Sequence, residues 1–360
     1  MLLALSNQGP LGAQPCEADR SVPLPRFQLF CAFAPDDSST RIEIAVRRPK
    51  RVLFDTVARA LVRRSESDGL VYRPALYGAD AVAPDAHAFS ESLYAALNEA
   101  RKAAGRGTLA VEAKQASANE RLVPHLFQGF LAGDPALSDR IALGLLAGWE
   151  VSGAIRDGAL LSGASAGERR PARWLSSQLE SPLARYLLLD PTLSQVAAGA
   201  TELDPAGTAA VLTVYSLFQA SDHERDRAQL LNELTQSRAA HNKRRPRFLP
   251  PSPELQAALA RVEKEQISAL AALQDTLADL GASTESLRGW AIETNDLRQI
   301  EWPSELLTPT ELELEVGLTH YKPKGGAWGQ YAIVVVIHQS QREARTDPVE
   351  PRVPAPIARL

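Results

Sequence analysis

His125, Glu150 and Glu293 are the residues from which acid–base chemistry would have to start. An imidazole titrating near neutrality can move a proton or hold a metal, and a carboxylate can orient it, but only where several such groups converge. His125 stands between Pro124 and Leu126-Phe127, the setting of a partly buried histidine at a helix end. Glu150 follows Trp149 and Glu293 follows Trp290 by three residues, each a single acid whose default is a solvated or ion-paired role. No Gly-x-Ser-x-Gly elbow, Walker loop, His-Glu-x-x-His or Gly-x-Gly-x-x-Gly run occurs in the chain. Cys16 and Cys31, 15 positions apart, are its two cysteines; the spacing fits a disulfide or two unrelated thiols, and a bridge is expected if the protein is made in an oxidising compartment. Without a Cys-x-x-Cys or Cys/His cluster, neither a metal site nor a cofactor is expected.

Charge offers a second kind of chemistry. Between Arg41 and Arg64 eight basic residues, Arg47, Arg48, Lys50 and Arg51 among them, face only Glu43 and Asp55. Lys243, Arg244, Arg245 and Arg247 form another cluster ahead of Pro250-Pro251, balanced later by Glu301, Glu305, Glu311, Glu313 and Glu315. Such clusters are ordinarily solvated faces or intramolecular partners, but in an envelope protein they can contact anionic glycan or lipid headgroups. Arg47, Arg48, Lys50, Arg51, Lys243, Arg244 and Arg245 are therefore the candidate binding residues. The 360 residues carry 39 basic and 43 acidic side chains, a net charge of −4, which argues against a nucleic-acid partner. No apolar run approaches the ~18 residues of a membrane helix.

The elements that must position these groups start with residues 1–20, where Met1-Leu2-Leu3-Ala4-Leu5 and the small and polar residues to Ala13 resemble the tail of a secretory signal. A periplasmic or secreted location follows as an expectation. Residues 21–88 read as a small α/β unit and connector: a hairpin over 26–48, with Phe27, Leu29 and Cys31, then Ile42, Ile44 and Val46, alternating, and a helix over 52–62. From residue 89 the chain repeats itself. Leu93, Tyr94, Leu97 and Arg101 match Leu230, Leu231, Leu234 and Arg238 at an offset of 137. Leu188, Leu189, Pro191, Thr192 and Gly199 match Leu306, Leu307, Pro309, Thr310 and Gly317 at 118, and each copy ends in an apolar run, 211–218 and 332–337, fit for a buried strand. After the cap Ser252-Pro253-Glu254, leucines at helical spacing mark one stripe as far as Gly281. Residues 341–360, rich in proline, read as a disordered or extended tail.

The run Ser181-Pro182-Leu183-Ala184-Arg185, followed by Leu187-Leu188-Leu189-Asp190-Pro191, Val196 and Gly199, resembles the bacterial branch of the CAP superfamily of cysteine-rich secretory, antigen 5 and pathogenesis-related proteins. That branch carries Ser-Pro-Gly-His-Arg, Asn-Leu-Leu-Asp-Pro and a Val-Gly-rich strand. The resemblance implies a three-layer α-β-α sandwich whose cleft holds two His and two Glu, a set able to bind a divalent cation or activate water. Here Ala184 stands for the motif histidine, and Ser152-Gly153-Ala154-Ile155 for a Gly-Glu-Asn-Ile segment. His125 is the one candidate for the early cleft histidine, and the same region of the second copy holds Arg261 and Glu263 instead.

The expectation is an α+β protein in which residues 89–220 and 221–340 form two tandem, degenerate CAP-like sandwiches. Its function would be non-enzymatic, a binding or scaffold module for a protein or a cell-envelope component. The alternative is a hydrolase that uses a remodelled cleft around His125.

Overall fold

The computed structural model describes residues 2–19, 21–22, 26, 28–35, 37–48, 53–66, 75–203, 207–281, 287–324, 326 and 328–338. Phe27, Lys50, Arg51 and the proline-rich stretch 341–360 lie outside them. The chain divides into two units: residues 1–218 with 322–329, and residues 219–321 with 330–360.

The stretch read as a leader is a strand in this structure. β1 (Leu2–Gln8) buries Ala4, Leu5, Ser6 and Asn7 and lies between β2 (Gly12–Pro15) and β5 (Ser39–Val46), with β6 (Asp55–Arg63) outermost. β3 (Glu17–Ala18) and β4 (Leu29–Phe30) make a separate two-stranded ladder, next to which Cys16 and Cys31 are joined by a disulfide. Two expectations are corrected here. The 26–48 hairpin does not form, because β5 pairs with β1 and β6 rather than with β4. Residues 55–63 are not a helix but an edge strand, nearly all exposed, so Val57, Ala60 and Leu61 make no buried helical stripe. A bulge between Ile44 and Ala45 lies beside a third departure: Glu43, which alternates with the apolar Ile42 and Ile44 and so reads as solvent-facing, is fully buried.

The rest of the first unit is a sheet with helices on both faces. α1 (Ala86–Ala103) is capped by the Asp85 side chain, which accepts from the Ala88 N–H. β7 (Ala110–Val111), α2 (Ala113–Leu131), α3 (Pro135–Ala147), β8 (Ile155–Ala166), α4 (Pro171–Gln178), α5 (Pro182–Leu188), β9 (Gln195–Leu203) and β10 (Gly207–Leu217) follow. The sheet order is β7-β9-β10-β8, with β7 parallel to β9 and the other pairs antiparallel. Because strand side chains alternate, Val196, Ala198, Ala200, Ala210, Leu212 and Val214 pack with α1 and α4, while Ala209 and Val211 pack with α2 and α3. Three layers result. Gly199 is where α2 touches the sheet: a Cβ there would lie 2.7 Å from the Asn119 carbonyl carbon, so no larger residue fits.

The second unit has the same strand order. α6 (His223–Ala240), β11 (Arg247–Leu249), α7 (Pro253–Glu263), α8 (Ala269–Gly281), β12 (Leu287–Thr294), α9 (Ser304–Leu307), β13 (Glu313–Tyr321) and β14 (Gln330–His338) build a sheet ordered β11-β13-β14-β12, with β11 parallel to β13 and the rest antiparallel. The single helix expected up to Gly281 is two: residues 264–268 break it, with Glu265 at φ 57° and Ser268 accepting from the Ala271 N–H. Ala332, Val334 and Val336 pack on α7 and α8, and Gly317 sits against Leu255 and Leu259. α6 covers the other face.

One residue type recurs at the same place in both units. Arg101, at the end of α1, is fully buried and donates from Nε to the Gly107 carbonyl at 2.8 Å and from Nη1 to the Leu188 and Asp190 carbonyls at 2.7 and 3.1 Å. Arg238, at the end of α6, is equally buried and donates to the carbonyls of Arg244 at 3.0 Å, Leu306 at 2.6 Å and Pro309 at 2.9 Å. Each guanidinium ties the exit of a helix to the turn that launches the next central strand. Removing it would strand several buried carbonyls, each a penalty of about 1–3 kcal/mol. Arg238→Met is therefore expected to lower the unfolding free energy of the second unit by about 2–4 kcal/mol, with Arg238→Lys recovering only part of it because the ammonium lacks the planar fork. Urea unfolding followed by tryptophan fluorescence and far-UV dichroism checks both.

Candidate functional site

The motif positions of the first unit are structural. Ser181 caps α5, accepting from the Ala184 N–H, and Pro182 takes the first helical position. The Ser181 hydroxyl in turn donates to Glu43 of β5, which also accepts from the Leu183 N–H at 3.2 Å, the Thr56 hydroxyl at 2.7 Å and Arg59 Nε at 3.0 Å. Burial works to raise the Glu43 pKa, but these donors outweigh it and hold the carboxyl below its usual range. Arg185, buried, donates to the carbonyls of Leu179, Gly9 and Gly12, so α5 holds the N-terminal sheet from two sides. Asp190 accepts from the Thr192 N–H and hydroxyl and shapes the turn after α5. Arg185, Asp190 and Pro191 also line a cavity of about 360 Å³ with Pro10 and Leu11.

The positions where cleft chemistry would sit do not converge. Ala184 is fully buried and Gly153 stands in a turn at φ 94°. His125 is exposed on α2, its Nδ1 3.3 Å from Gln128 Oε1. Glu150 and Glu293 are exposed, and His87 pairs with Glu120 on the surface at 2.7 Å. The N-terminal basic cluster is largely spent within the fold: Arg41 pairs with Glu180, Arg48 with Asp55 and Arg59 with Glu43, while Arg47 stacks on Phe54 and Arg64 on Phe33.

The second basic cluster has a different fate. A cavity of about 650 Å³ opens where β11, β13, β14 and β12 meet at one end of their sheet, and Arg244, Arg245, Arg247 and Arg288 line it. Glu305, Glu311, Glu313, Thr308, Thr310 and His338 supply the remaining polar wall, His338 being paired with Glu315 at 2.9 Å, and Pro309, Leu312 and Ile337 its apolar part. Arg247 is paired with Glu313 at 2.8 Å. Among the described residues no ion pair involves Arg244, Arg245 or Arg288, although Arg245 also lies over the Phe248 ring at 5.8 Å. Lys243, expected to belong with them, is not part of the lining.

The same unit holds an ionisable cluster that local sequence patterns do not announce. Asp226 of α6, fully buried, accepts at Oδ2 from His320 Nε2 at 3.0 Å and from the Tyr331 hydroxyl at 3.2 Å, and at Oδ1 from Arg225. The His223 ring lies 4.4 Å from that of His320, centroid to centroid. Burial and the neighbouring His223 push His320 down to about 4, against the pull of Asp226 and Asp222. The unfolded chain, with a histidine near 6.5, thus binds the proton first as pH falls. Stability of the second unit should decline from about pH 6.5 toward pH 4, with a slope approaching one proton, and be fully present above that window. Denaturant midpoints measured between pH 4 and 8 test this, and His320→Gln should flatten the slope.

Comparison with known proteins adds a distant likeness. No protein-family profile matches the chain, and no curated protein matches it. Among solved structures it is similar to a cysteine-rich secretory protein from Staphylococcus aureus subsp. aureus, at 12% identity and a TM-score of 0.26, over 50% of this chain and 56% of that one. The chain thus spans little more than half the length of that neighbour.

Proposed function

We propose that the chain is an extracytoplasmic, non-enzymatic binding or scaffold protein built on two tandem CAP-like sandwiches whose cleft chemistry has been lost. The observation that carries this reading is the fate of the cleft positions: Ala184 is buried and has no polar side-chain atom, Gly153 has no side chain, and His125 points to solvent with only Gln128 at hand. A single imidazole neither completes a metal site nor orients itself for proton transfer. The tandem reading is supported by the shared strand order and by the matching arginines at 101 and 238. The Cys16–Cys31 disulfide fits an oxidising compartment, where closing a loop of 15 residues contributes on the order of 3 kcal/mol. A protein or an envelope component is the expected partner.

The test is turnover. Intact, oxidised protein incubated with ester, peptide and glycoside substrates should show no hydrolysis, and calorimetric titration with zinc or calcium no binding at micromolar concentrations. Hydrolysis or metal binding that His125→Ala abolishes would overturn the reading and establish the hydrolase alternative.

A further inference from the structure

The 650 Å³ cavity of the second unit carries both signs of charge on a partly apolar wall. Arg247 and Glu313 offset each other as a close pair. His338 is likewise paired with Glu315 at 2.9 Å. What remains is Arg244, Arg245 and Arg288, with no ion pair among the described residues, beside Glu305 and Glu311: an excess of one positive charge over a mixed surface.

These charges are not demanded by the sheet. Arg288 stands across from Ile337 on β14, and the same register position in the first unit, across from Val214, is Ala159. Arg247 stands opposite Glu313, where the first unit has Ala110 opposite Gln195. Uncharged residues build the same strand order, so stability of the sheet does not account for the arginines.

We infer that this cavity is a binding site for a short peptide-like zwitterion bearing one excess carboxylate. The inference rests on the reading of the chain as a binding protein and names the ligand that reading leaves open. A guanidinium takes a carboxylate through two parallel hydrogen bonds, which suits Arg244, Arg245 and Arg288 to a ligand's acidic groups. Glu305 and Glu311 then repel a ligand that is anionic throughout and accept an ammonium, so selection works by rejection as well as attraction. Thr308 and Thr310 offer hydroxyls to a peptide backbone, and Leu312 and Ile337 take a small side chain. The volume lies within the roughly 300–1,000 Å³ of small-molecule sites.

The probe is the tripeptide Ala-Ala-Glu with both termini charged, titrated calorimetrically into the intact protein beside its N-acetyl and C-amide forms, inorganic phosphate and an alkyl phosphate. The free peptide should bind with a Kd below about 1 mM. Either blocked form should bind several-fold more weakly, and Arg244→Ala or Arg288→Ala should weaken the free peptide roughly tenfold. Both arginine side chains are exposed, so both variants should keep the wild-type unfolding midpoint, which is measured alongside as the control for folding. Glu305→Gln should erase the penalty of N-acetylation. Absence of peptide binding at millimolar concentration, equal binding of the blocked peptides, or binding of the phosphates alone overturns the proposal. NMR of the same mixtures separates the two readings: a peptide bound and cleaved keeps the site and removes the non-enzymatic reading, whereas one neither bound nor cleaved removes the site alone.

Discussion

A charged guanidinium held by backbone carbonyls is an expensive thing to bury, and each unit of this protein is organised around one. Arg101 has the Asp190 carboxylate in its field, and for Arg238 burial is the one resolved influence. Arg101 and Arg238 are fully buried, and their guanidinium N–H groups donate to backbone carbonyls. Burial lowers both pKa values, yet a guanidinium stays charged, so the desolvation is offset only while every carbonyl remains in place. The fork of N–H groups therefore acts as a jig. It sets where the first helix ends, where the Pro-Thr turn sits, and from which point β9 or β13 enters its sheet.

The two units diverge where the chain between the outer strand and that turn changes length. In the first, α4 covers α1, and Phe89 meets Trp174 edge to face at 6.4 Å. In the second a short turn, Leu297–Gln299, packs on α6 instead, and Asp226, 137 positions after Phe89, binds His320 and Tyr331. An apolar contact has given way to a polar network. The first unit spends its extra helices differently again: α5 holds the N-terminal sheet through Glu43 and Arg185, with Leu5, Ala45 and Leu183 packed between.

What could be read from the residues was what recurs. Arg101 and Arg238, Gly199 and Gly317, and the apolar runs of β10 and β14 keep constant spacings because sheet register and buried hydrogen bonds leave no freedom there. The N-terminal strands resisted for the opposite reason. β6 is exposed along most of its length, so no buried face imposes a period of two, and its aliphatic residues fall by accident at helical spacing. Glu43 reads as a surface residue from its neighbours Arg41 and Ile42, because the partners that bury it, Ser181 and Leu183, lie 138 and 140 positions away. Of the arginine-lined cavity, Arg244 and Arg245 announced themselves as a run, whereas Arg288, Glu305 and Glu311 reach it from other elements. Asp226, His320 and Tyr331 are joined over 94 and 105 positions, beyond any local pattern.

The first unit is not a continuous stretch of chain. Residues 322–329, between β13 and β14, belong to it: Trp328 forms a parallel bridge with Ile155 and packs near Val151 and Tyr215, and the Gly329 N–H donates to the Ile155 carbonyl at 2.8 Å. On the ribosome, domains generally fold in the order in which they emerge. Here the unit that emerges first must wait for a segment made about a hundred residues after its own last strand, at 207–217, so the edge around Ile155 stays uncovered through most of the synthesis of the second unit.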